Sequence, residues 1–95
     1  MYDNLNKLNK VRKIAQTIEQ PLFKNQYKNI INPILERYQQ NICTDDEMYN
    51  RINKAIRDIK QIAKSCQYIP NKGYGDFTEH EKLYRVELLC NELLR

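Results

Sequence analysis

Glycine and histidine are scarce in this chain of 95 residues. Both glycines, Gly73 and Gly75, and the single histidine, His80, fall within one stretch, NKGYGDFTEHEKLYR at 71–85. There is accordingly no G-x-x-x-x-G-K-[ST] phosphate loop, and no strand leads into the glycine turn as such a loop requires. A lone imidazole cannot supply paired histidine ligands. The three cysteines, Cys43, Cys66 and Cys90, never approach C-x2-C spacing. No metal, cofactor or catalytic residue is therefore expected. The odd cysteine count, together with the absence of an apolar leader in MYDNLNKLNK, points to reduced thiols in the cytoplasm. Cys66 and Cys90 read as core thiols, and Cys43 sits at a loop. No apolar run approaches the roughly 18 residues of a membrane span, and nothing alternates with period two for long enough to form a strand.

What is present is helical periodicity. Residues 4–19 place Leu5, Leu8, Val11, Ala15 and Ile18 on one stripe, with Asp3 as the cap and Pro21 as the stop. A second helix opens at Pro21 and carries Leu22, Phe23, Tyr27, Ile30, Ile31, Ile34, Leu35 and Tyr38 in phase to residue 38. Pro33 interrupts it. Because the phase survives the proline, one helix kinked at Pro33 is the expectation, the alternative being a new helix capped by Asn32. The third helix has a capping box, Thr44 and Glu47, and then an apolar face of Met48, Ile52, Ala55, Ile56, Ile59, Ile62, Ala63 and Cys66. Asn71–Gly75 reads as a turn, and Thr78 with Glu81 repeats the box before a fourth helix at 78–94, striped by Leu83, Val86, Cys90, Leu93 and Leu94. Four amphipathic helices with mostly short connections predict an all-α fold: one domain spanning 1–95, a compact antiparallel four-helix bundle whose second and fourth helices share an interior.

Polar chemistry in this frame is sparse. His80 is flanked by Glu79 and Glu81, but neighbours on a helix point about 100° apart, so the imidazole cannot face both. The cluster reads as a solvated first helical turn in which acids suit the helix dipole. A phosphate cradle at Gly73–Gly75 would face Asp76, Glu79 and Glu81 with Lys72 alone in its favour. The net charge of +4 lies entirely within residues 1–40, since 41–95 carry nine charges of each sign. Lys7, Lys10 and Lys13 on the first helix, and Arg51, Lys54, Arg57, Lys60 and Lys64 on the third, decorate outer faces that would suit phosphate backbones or simply be solvated. On the fourth helix Leu88 lies opposite the core stripe, one turn after Tyr84 and beside Asn91. Either this helix is more enclosed than a simple bundle allows, or Tyr84–Leu88 is a contact patch.

The segments YNRINKAIRDIKQIA (49–63) and TEHEKLYRVELLCNEL (78–93) are similar in layout to the last two helices of the class II bacteriocin immunity proteins, the enterocin and pediocin group. The likeness covers about residues 5–94. The Gly-Tyr-Gly-Asp loop and the lack of a long tail after the fourth helix depart from that pattern. The resemblance implies a non-enzymatic protein that protects its producer by engaging, from the cytoplasmic side, a sugar-transport receptor captured by the toxin. It implies that the C-terminal half selects the toxin. Recognition would then fall to Tyr84, Leu88, Asn91 and, in the 71–77 loop, Tyr74. The residues leave two rivals open. One is a phage- or plasmid-type regulator that binds nucleic acid through Lys10, Lys13, Lys54, Arg57 and Lys64. The other is a small inhibitor of a host or defence enzyme. A homodimer through the fourth helix is a further option.

Overall fold

The computed structural model describes residues 2–40, 45–67 and 77–94. These form four helices, α1 (Tyr2–Ala15), α2 (Pro21–Gln40), α3 (Asp45–Cys66) and α4 (Phe77–Leu93), and no strand among the described residues. Thr44, Cys43, the Gly73–Gly75 turn and Tyr74 lie outside them. The fold is all-α, a four-helix bundle.

α1 differs from expectation at both ends. It begins at Tyr2, so Asp3 is inside it and is not its cap, and it stops at Ala15, four residues early. The Thr17 hydroxyl donates to the Ile14 carbonyl at 2.7 Å, while the Thr17 and Ile18 amides reach back only three residues, to Ile14 and Ala15. This tightening satisfies the terminal carbonyls and turns the chain before Pro21. Ile18 remains fully buried although it is no longer helical. The Lys24 amide then donates to the Gln20 carbonyl at 3.0 Å, which starts α2.

α2 runs unbroken through Pro33. The carbonyl that Pro33 leaves without a helical donor belongs to Asn29, and both residues are exposed, so water can serve it. Phe23, Ile31 and Ile34 are buried, with the Phe23 and Tyr27 rings stacked 5.7 Å apart. Leu22, expected on this stripe, is instead exposed. α4 starts one residue before the expected Thr78.

α3 packs against all three other helices, and its buried set is correspondingly wide: Met48, Ile52, Ala55, Ile56, Ile59, Ala63 and Cys66. Directions follow from cross-helix neighbours. Lys7 lies over the Tyr49 ring at the start of α3 and beside Leu93 at the end of α4. The turn after α1 reaches the far end of both helices, where Gln20 Nε2 donates to the Cys66 carbonyl at 3.3 Å and the Glu19 amide donates to Glu79. α1 therefore runs with α3 and against α4. α2 leaves from the Cys66 end and brings Ile30 and Ile34 beside Arg51 and Ala55, antiparallel to α3. The order is up-down-up-down. α2 and α4 join through α3, and their buried side chains, Phe23, Ile31 and Ile34 with Leu83, Val86 and Cys90, belong to one core cluster. No helix among the described residues is long and apolar enough to cross a membrane.

Candidate functional site

Two surfaces carry the side chains that the sequence singles out. The first is the outer strip of α4. Leu83, Val86 and Cys90 are fully buried on its inner stripe. On the other side Tyr84 is 49% exposed and Leu88 is 47% exposed, one turn apart. Of the two readings of Leu88, enclosure by the bundle is not what the structure shows. Asn91, one turn further along, is half-buried. The strip is bordered by an ion pair in which Arg85 donates to Glu81 at 2.8 Å, both side chains being more than half exposed. Surface pairs of this kind contribute little stability. Here the pair neutralises charge beside the strip and leaves an apolar step and a phenol facing solvent.

The inner edge of α4 is tied down at its start. Glu79 is buried, not solvated, and its Oε1 accepts from the Glu19 amide at 2.9 Å. Lys82 Nζ donates to the Thr17 carbonyl at 3.1 Å, and Gln67 Nε2 donates to Glu87 Oε1 at 2.7 Å. These bonds join α4 to the α1–α2 turn and to the end of α3, so the outer strip sits on a fixed support. His80, between two acids in sequence, is exposed. Among the described residues no three His, Cys, Asp or Glu side chains come together as metal ligands would.

The second surface is basic. One groove of about 510 Å³ runs between α1 and α3 and is closed by the end of α4. Its walls are Lys7, Tyr49, Asn50, Asn53, Lys54, Arg57, Leu93 and Leu94. An adjoining groove of about 620 Å³ shares Lys7 and Leu93 and adds Asn6, Asn9, Lys10 and Lys13. Among the described residues neither wall contains an acid. Of the cations picked out in the sequence, Lys10 and Lys13 meet one groove, Lys54 and Arg57 the other, and Lys64 is in neither. Lys7 belongs to the α1 basic face read from the sequence, and the packing order is what sets it between the two grooves. Its ammonium stands 5.9 Å from the centre of the Tyr49 ring, within cation–π range. Arg51 lines a third groove, between α2 and α3, which Lys54 also borders and where Asp58 lies.

The thiols have no such setting. Cys66 and Cys90 are free and buried. Burial pushes the Cys90 thiol up to about 12, only partly offset by the Lys60 ammonium, and raises Cys66 as well. A buried, protonated thiol is a poor nucleophile. Among the described residues the arrangement offers surfaces for contact and charge pairing, with His80 exposed and Cys66 and Cys90 sealed in the core. No protein-family model, curated protein or solved structure matches the chain.

Proposed function

We propose that this protein is a non-enzymatic helical interaction module, most like the class II bacteriocin immunity proteins, acting in the cytoplasm to shield its cell by engaging a toxin–receptor complex. The single observation that supports this reading is the exposed Tyr84–Leu88 step on a helix whose opposite stripe is wholly buried. A leucine buried at an interface is worth about 1.5–3 kcal/mol, and a neighbouring tyrosine adds apolar area with a hydrogen-bonding tip. The mechanism is occlusion: the rigid outer strip of α4 covers a partner surface, and no bond is made or broken.

The test is protection. The protein is expressed in a bacteriocin-sensitive strain and challenged with a panel of class II toxins. Survival against at least one toxin is expected, and it should be lost in Leu88→Glu with the helical circular-dichroism signal kept. Undiminished killing by every toxin would refute the immunity role. Protection that persists in both Leu88→Glu and Tyr84→Ala would move the contact surface away from α4.

A further inference from the structure

We propose that the two adjoining basic grooves along α1, one shared with α3 and the other with the end of α4, bind a single strand of nucleic acid, with phosphates held by Lys7, Lys10, Lys13, Lys54 and Arg57 and a base stacked on Tyr49. Its cations and Tyr49 stand on α1 and α3, away from Tyr84 and Leu88, so it stands or falls separately from the α4 strip.

Three observations converge. Five cations from two helices face grooves that share Lys7 and Leu93, and among the described residues no acid lines either. Among the described residues no ion pair holds Lys10, Lys13, Lys54 or Arg57, and the Arg85–Glu81 pair lies away from them on the outer side of α4. Their charge is therefore available to a ligand. Concave walls of one sign over an apolar core focus potential and attract polyanions. Tyr49 is 47% exposed at the groove, with the Lys7 ammonium near its ring. An aromatic face within a basic channel is how proteins hold single strands without reading sequence, because every base has a face to stack.

The shape selects among polyanions. Lys7 meets Lys54 and Arg57 across one groove and Lys10 and Lys13 line the next, so a flat bilayer would meet only part of the set at once. Duplex DNA takes a protruding helix into its own groove, whereas here the protein supplies the hollow. Asn6, Asn9, Asn50 and Asn53 set amide groups along the same walls, able to bond bases or sugars, which an acidic peptide would not need in such number.

Fluorescence anisotropy with labelled oligothymidylate tests the site in the full-length protein. Binding should appear at low salt, and log K should fall with log salt with a slope of up to about −3.5 if all five cations engage, at about 0.7 per phosphate for single strands. Lys10→Glu with Lys54→Glu should weaken it at least tenfold. Lys24→Glu with Lys28→Glu, which makes the same charge change on the exposed face of α2, should have a much smaller effect. Tyr49→Ala should lose about tenfold, and Tyr49→Phe should retain stacking. The proposal is overturned by absent binding at low salt, by equal losses in the two charge-reversal pairs, or by an unaffected Tyr49→Ala. Duplex DNA, phosphatidylserine vesicles or polyglutamate bound as tightly as oligothymidylate would equally overturn it.

Discussion

Glu79 and Glu19 are 60 residues apart in the chain, yet the Glu79 carboxylate accepts the Glu19 backbone amide at 2.9 Å. This bond fastens the turn between α1 and α2 to the first turn of α4. A hydrogen bond to a charged acceptor contributes about 1.5–3 kcal/mol. Glu79→Ala should lower stability by an amount in that range, and Glu79→Gln, which keeps an acceptor oxygen, by less. Urea unfolding followed at 222 nm reads both.

The two faces of α4 should respond differently to truncation. Leu83 is fully buried, so Leu83→Ala leaves a cavity and should cost about 2–5 kcal/mol. Leu88→Ala removes a side chain already half in solvent and should cost less than about 1 kcal/mol. A reversed order in thermal or urea melts would show that the α4 strip is not a free surface.

Pro33 leaves a gap in the backbone ladder of α2, at an exposed position. Pro33→Ala restores the amide that bonds the Asn29 carbonyl and removes the ring's clash with the preceding turn. Stability should rise by about 1–3 kcal/mol, and the melting temperature by several degrees. A loss of stability would mean that the bundle needs a bend which alanine does not provide.

The Cys90 thiol titrates at about 12 in the folded protein, against 9.0 for an ordinary thiol, because burial disfavours the thiolate. The unfolded chain therefore gives up this proton first as pH rises. The thiol's contribution to stability is complete below about pH 9 and is lost progressively as pH climbs toward 12. Tyr27, raised by burial against the opposing Arg12 guanidinium, adds a loss of the same sign. Denaturation midpoints should fall across this window, and less steeply in Cys90→Ala. At pH 8 a disulfide reagent should modify Cys66 and Cys90 only on unfolding.

Much of this fold is legible because its signals are local. The face of α3 from Met48 to Cys66 is a uniform apolar repeat, and all of its members are buried except Ile62, which is half-buried. The survival of phase across Pro33 likewise anticipates a single α2. Errors arise where local signals compete with tertiary ones. The Ile18 position suggests four more residues of α1, but a threonine back-bond and the coming proline turn the chain, and Ile18 reaches the core from the turn instead. Glu79 reads as a dipole-facing surface acid because its true partner is far away in sequence. The basic grooves are half legible: periodicity gives the cationic faces of α1 and α3, but which faces adjoin depends on helix order in space. That order alone brings Lys7 beside Tyr49.

The packing of α1 on α3 and α4 has a consequence for biosynthesis. α1 leaves the ribosome before α3 and α4, so the surfaces that cover Leu8 and Val11 are translated after them. An isolated helix of its length is marginal in water. Its apolar stripe must therefore wait uncovered until α3 and α4 have emerged, and during that interval the nascent chain is a natural client for a chaperone.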